Sequence, residues 1–143
     1  MFFLLYNKPL KNIKRNHMEF VFLVGRIIFG GFFLMNGINH FTQKKGLTEY
    51  AKAKHIPSPE FAVTFTGALL FASGVSIILG IFIQIALFAV IVFLFITSFT
   101  MHAFWKDTDP ASKMNNNISF MKNMALLGAC LMMYFIENWP LSL

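Results

Sequence analysis

Residues 20–41 read FVFLVGRIIFGGFFLMNGINHF, twenty-two positions with one formal charge, Arg26. A helix of about 20 apolar residues crosses the ~30 Å of bilayer hydrocarbon, and this stretch is long enough. Three more stretches of the same kind follow, at about 61–83, 85–105 and 118–139. Four water-exposed helices this apolar would have no polar face to offer solvent. Spanning helices satisfy their own backbone hydrogen bonds, as lipid requires. The pattern predicts an all-α integral membrane protein, an antiparallel four-helix bundle in which residues 18–143 form a single domain.

The composition agrees. Hydrophobic residues make up 57% of the 143 positions and charged residues 13%, against about 25% charged in soluble domains. There are 19 phenylalanines. The net charge of +6 first suggests nucleic acid, but the basic residues fall in blocks between apolar runs: Lys8, Lys11, Lys14 and Arg15, then Lys44, Lys45, Lys52 and Lys54. That layout suits anionic headgroups rather than a nucleic-acid footprint. The single cysteine, Cys130, excludes an internal disulfide or dithiol relay and reads as a small buried hydrophobe. Residues 1–17 read as a basic extension outside the domain, either loose or preceding a true start at Met18. Their short apolar run and reversed charge order do not fit a cleaved signal.

Pro57 and Pro59 precede the second stretch, with Ser58 as its cap. Gly80 and Gln84 bracket the next connection. Asp107, Asp109 and Pro110 are expected to end helix three and open a polar loop through Asn115, Asn116 and Asn117. Trp105 and Trp139 stand at segment ends, where amphipathic rings favour the headgroup level. Short connections put both termini on one side, side A, and the first and third loops on side B. Four basic residues flank the first helix on each side, so charge does not fix the orientation.

Polar residues inside apolar segments face partners or cavities because hydrocarbon is costly for them. At about 100° per residue, Arg26, Gly30, Phe33, Gly37 and His40 share one stripe of helix one. Ser119, Asn123, Leu127, Cys130, Tyr134 and Glu137 share another on helix four, and Ser98, His102 and Trp105 align on helix three. Thr66, Gly67, Ser73, Gly74 and Gly80 supply small residues for close approach on helix two. Arg26, Tyr134 and Glu137 fall near side A as structural or headgroup-contacting groups, with Glu137 a partner for Arg26. Asn36, His40, His102, Trp105 and Asn123 fall near side B and form a candidate pocket for a substrate or quinone. Three readings of His40 and His102 stay open: interfacial residues, pocket donors, or ligands of haem or metal. No CxxCH or HExxH motif supports the last, so no metal ligand is assigned, and no catalytic residue.

The order of these residues resembles the DoxX-like family of small bacterial membrane proteins. The matching features are Arg26–Gly31 and Asn36–Phe41 in helix one, and Gly67, Ser73, Gly74 and Gly80 in helix two. Met101–Trp105 with Asp107, and Phe120–Gly128, complete the set. The resemblance covers about Val21–Tyr134. It implies a four-helix fold in a bacterial inner membrane and a link to quinone-dependent electron transfer. Family members often carry a glutamate in helix two where this chain has Leu70, which puts a proton-transfer role there in doubt unless Glu60 or Glu137 replaces it. The resulting expectation is an accessory or quinone-interacting subunit of a membrane redox system. It would carry no cofactor of its own beyond a bound quinone and would depend on an oxidoreductase partner. Membrane lipid and further copies of the chain are the other expected partners. The alternative is a non-catalytic scaffold or assembly factor, and a small-solute carrier ranks behind both.

Overall fold

A computed structural model describes the backbone of residues 2–143 and the side chains of Arg15 and residues 17–143. The elements are α1 (Phe2–Thr42), α2 (Lys44–Ala53), α3 (Pro59–Leu79), α4 (Ile83–Thr100), a 3-10 turn (Phe104–Lys106) and α5 (Pro110–Tyr134). Three segments are long and apolar enough to cross a membrane: His17–Thr42 within α1, Pro59–Leu79, and Ile83–Lys106. The protein is all-α and multi-pass. Its outer surface is built from side chains that water disfavours, with Phe20, Phe61, Phe65, Phe88 and Phe95 each more than half exposed.

Four boundaries differ from the sequence-based expectation. First, α1 runs from Phe2 for 41 residues, so the basic segment before residue 18 continues the helix backbone. Second, the first loop contains α2, which was not expected. Leu47, Thr48 and Ala51 form its inward side and exposed lysines its outer side. Third, the asparagine run is helical. Asp109 caps α5 by accepting from the Ser112 N–H at 2.8 Å, and Pro110 occupies the first helical position. Proline fits there because that N–H has no intrahelical partner. Fourth, α5 ends at Tyr134, and residues 135–143 return across the end of the molecule. Ser58 does sit at the cap position of α3, but in a left-handed conformation with no side-chain capping bond.

The helices pack as a ladder in the order α1–α3–α4–α5, with α2 laid against α3 and α1. The tightest rung is α1 against α3. A Cβ placed on Gly37 would lie 2.5 Å from the Phe71 nitrogen, and one on Gly74 would lie 2.5 Å from the Leu34 nitrogen. Gly30 and Gly67 are nearly as confined, by Ile78 at 2.8 Å and by His40 at 2.7 Å. The seven-residue spacing Gly30–Gly37 opposes Gly67–Gly74, so two flat glycine faces meet in antiparallel fashion. Membrane helices gain packing and weak backbone contacts this way where no hydrophobic drive exists between them. Gly80 closes α3 with φ of 80°, a conformation open to glycine, and turns the chain into α4. Phe33, Leu70, Ile77, Leu87, Val90 and Leu94 fill the centre, with Cys130 fully buried beside them.

Replacing Gly37 by alanine forces a methyl group into backbone. It is expected to cost about 1–3 kcal/mol, the usual penalty for overpacking. Gly31, with open space around it, tolerates the same change. Thermal unfolding of both variants in detergent separates them. Equal midpoints would contradict the tight contact.

Candidate functional site

The ladder leaves its first and last helices apart. No described residue of α1 comes within 8 Å (Cα–Cα) of α5. Polar contacts close this gap at each end.

At side A the returning tail bridges it. The Arg26 guanidinium donates from Nη1 to the Pro140 carbonyl at 3.0 Å and from Nη2 to the Leu141 carbonyl at 2.8 Å. Arg26 is 5% exposed, and its Nε has no partner among the described residues. Trp139 packs edge-on against Phe22 with centroids 5.3 Å apart, and the Leu143 N–H reaches the Leu79 carbonyl at 3.3 Å. Arg26 therefore pairs with tail carbonyls and not with Glu137, which is exposed, as is Tyr134. The guanidinium fork matches two successive carbonyls, and the tail presents them where α5 has already ended.

At side B a hydrogen-bonded network ties α2 to α5. Lys54 Nζ lies 3.0 Å from Asp107 Oδ1, while Asn116 Nδ2 donates to Asp107 Oδ2 at 2.7 Å. Asn116 Oδ1 faces the Tyr50 hydroxyl at 3.0 Å and His102 Nδ1 at 3.2 Å. The amide of Asn116 holds the Asp107 carboxyl below the usual carboxylate range, and Lys54 adds to the effect. Asp109 is lowered as well, by the backbone N–H and hydroxyl of Ser112.

Between these two closures lies a cavity of about 280 Å³. Its apolar wall includes Phe33, Val63, Leu70, Phe93 and Leu94. Its polar lining is Asn36 and His40 from α1, Tyr50 from α2, Thr66 from α3, Thr97 and Thr100 from α4, then His102, Lys122 and Asn123. Phe32, Ile96, Thr100 and Lys122 are exposed members of the lining, so the cavity reaches the surface in the gap between α1 and the α4–α5 pair. His40 Nδ1 lies 2.8 Å from the Asn36 carbonyl, and the His40 ring stands edge-on to Phe93. Asn36 donates to Phe32, Thr66 to Ala62 and Thr97 to Phe93, each to a carbonyl one turn back.

Of the five side-B residues singled out from the sequence, Asn36, His40, His102 and Asn123 line this cavity. Trp105 does not. It stacks outside, in an aromatic cluster with Phe99, Phe104 and Phe120, because the 3-10 turn rotates it away from the helical stripe of Ser98. Glu60 and Glu137 are exposed and absent from the lining, whereas Leu70 forms part of the wall. Tyr50, Lys54, Asp107 and Asn116 were not foreseen as a unit. The signal available was the period of α2, with Leu47, Tyr50, Ala51 and Lys54 three to four residues apart, interrupted visually by Gly46.

Asp107 supports the side-B closure only while ionised. Because its folded pKa lies below the ordinary 3.8, its contribution is complete above that value and is lost as pH falls from there through the lowered pKa. Thermal unfolding midpoints of wild type and Asp107→Asn, followed against pH, are expected to differ at neutral pH. They should converge in acid below 3.8. A difference that persists unchanged in acid would remove Asp107 from this role.

No curated protein and no solved structure gives a match to the chain. The DoxX family model matches residues 21–103, which takes in most of the candidate span of α1, all of α2, α3 and α4, and His102. The chain belongs to the DoxX family.

Proposed function

We propose that the protein is an accessory membrane subunit of a redox system in a bacterial inner membrane, and that its cavity holds a small ring compound of the quinone class. The observation that carries this reading is the cavity's division into an apolar wall and a polar rim bearing two imidazoles. A quinone has the same division, with an apolar ring and tail and two oxygens. Ligand cavities are commonly about 300–1,000 Å³ with few polar groups, and this one, at about 280 Å³, falls just below that range. Its mouth opens beside exposed phenylalanine and isoleucine, where a lipid-soluble molecule would enter from the bilayer. The sequence carries no flavin, nucleotide or cluster motif, so electrons come from a partner subunit.

In this reading α5 is the fourth span. Its 25 residues reach roughly 38 Å at 1.5 Å per residue. Its asparagines lower its apolarity, but Asn116 and Asn123 are buried in the protein and do not meet lipid. α2 then lies along the side-B surface with Lys44, Lys45 and Lys52 outward among headgroups. Cysteines introduced at Lys52 and Lys113 in a Cys130→Ala background should react with an impermeant thiol reagent from one face of sealed vesicles. A cysteine at Ser142 should react from the other face. Labelling of all three from one face would remove α5 as a span.

The ligand is tested with a short-chain benzoquinone and its reduced form, added separately to purified protein in nanodiscs. At least one is expected to raise the unfolding midpoint, and His40→Ala with His102→Ala to weaken that effect about tenfold or more. A midpoint unmoved by either form would overturn the proposal.

A further inference from the structure

Which form of such a ligand the cavity favours depends on where its protons are. Asp107 Oδ2 lies 2.7 Å from Asn116 Nδ2. A carboxylate only accepts, so the Asn116 amide is fixed with its nitrogen toward Asp107 and its oxygen toward His102. His102 Nδ1 stands 3.2 Å from that oxygen and must be the nitrogen that carries the proton. Neutral imidazole has one N–H, so Nε2 of His102 is a bare lone pair. The same logic holds for His40, whose Nδ1 is 2.8 Å from the Asn36 carbonyl. Neither Nε2 has a hydrogen-bond partner among the described residues.

The remaining polar lining follows the pattern. The hydroxyl protons of Thr66 and Thr97 point to Ala62 and Phe93 carbonyls at 2.7 Å each, and the amide of Asn36 donates to Phe32. The two threonine hydroxyls therefore have only lone pairs left to offer, while Asn36 keeps its carbonyl oxygen and one N–H. The unengaged donors are the second N–H of Asn36, the Asn123 amide and the exposed Lys122 ammonium.

We infer that the cavity selects the reduced, hydroxyl-bearing form of a quinone-class ligand, an aromatic diol, because its two imidazoles and its threonines offer lone pairs to O–H donors. This rests on the cavity being the ligand site of the proposed function. A dione brings only acceptors, so it can take hydrogen bonds from Asn36, Asn123 and Lys122 but leaves both imidazole lone pairs without a donor. A diol donates to an imidazole Nε2. One such mismatched hydrogen bond corresponds to roughly a tenfold difference in affinity. A tenfold preference for the diol raises the midpoint potential of the bound two-electron couple by about 30 mV.

The test is anaerobic calorimetric titration of the full chain in nanodiscs with a short-chain benzoquinol and, separately, the matching benzoquinone. The quinol is expected to bind at least tenfold more tightly. His102→Phe and His40→Phe are each expected to weaken the quinol more than the quinone, so that the tenfold preference shrinks. Equal or tighter binding of the quinone overturns this inference and leaves the proposed function standing, whereas binding of neither form removes both. A measurement on wild type alone is independent of whether variants fold. Nitrogen-15 shifts of labelled histidine should report Nδ1–H tautomers for His40 and His102, and Nε2–H tautomers would overturn the inference.

Discussion

The contact on which the architecture depends is the meeting of two glycine faces, Gly30 and Gly37 on α1 with Gly67 and Gly74 on α3. In hydrocarbon no solvent drives apolar helices together, so close backbone approach has to supply the attraction. At Gly37 and Gly74 a methyl group would collide with backbone and not with a movable side chain, while at Gly30 and Gly67 it would first meet Ile78 and His40. α1 is thereby committed to α3, and its opposite side is left exposed at Val21, Ile28 and Met35. The ladder α1–α3–α4–α5 follows, and with it the gap between its outer helices. The cavity is the interior of that gap. The same glycines also set the position of His40, whose Cβ lies where a side chain on Gly67 would have to go.

A gap of this kind is closed most cheaply at its ends. Polar side chains in mid-bilayer meet a steep desolvation cost, whereas those near the surface keep access to headgroups and water. The two closures obey this. Arg26 sits between two and three turns inside the candidate span His17–Thr42 and reaches tail carbonyls at side A. Lys54, Asp107, Asn116 and Tyr50 gather outside the candidate spans at side B. The choice of carbonyl partners for Arg26 has a physical logic. A guanidinium stays charged whatever surrounds it, and carbonyl oxygens solvate it without bringing a second ion that would itself need desolvation. The segment after α5 thus acts as the solvating shell of a residue more than a hundred positions earlier.

How far the sequence reveals this differs from element to element. The stripe Arg26, Gly30, Phe33, Gly37 was readable because helical period and small-residue spacing reinforce each other over twelve positions, and all four residues are buried. Long apolar runs likewise locate α3 and α4. α2 was hidden because ten residues with four lysines or glutamates resemble a solvated loop until the position of α3 is known. The start of α5 was hidden by Asn115–Asn117, whose local preference for turns is outweighed by the Asp109–Pro110 start signal and by burial of Asn116 against Asp107. Trp105 shares a helical stripe with Ser98 only if the helix continues, and it stops at Thr100. Partner identity was the least accessible level. Depth alone placed Arg26 and Glu137 together, but depth cannot show that a returning tail offers better acceptors.

The donor and acceptor roles around the cavity show why residue identity underdetermines a site. Histidine, asparagine and threonine can each donate, and from sequence His40, His102 and Asn123 suggest donors to carbonyls. Within a membrane helix, though, the nearest acceptor is almost always the carbonyl one turn back, since no water competes for the proton. Thr66, Thr97, Asn36 and His40 all direct a proton to such a carbonyl. Their remaining lone pairs, with the second N–H of Asn36, are what a neighbouring cavity receives. A polar pocket between spanning helices is therefore biased toward acceptors by the way its walls are built. Donors survive in it only where a side chain is held by another part of the fold or finds no carbonyl in reach. His102 is the informative exception. It lies beyond the end of α4, where no i−4 carbonyl claims it, and the Asn116–Asp107 pair imposes the same tautomer from outside. Two unrelated constraints, one helical and one from the side-B network, leave both imidazoles in a single chemical state toward the cavity.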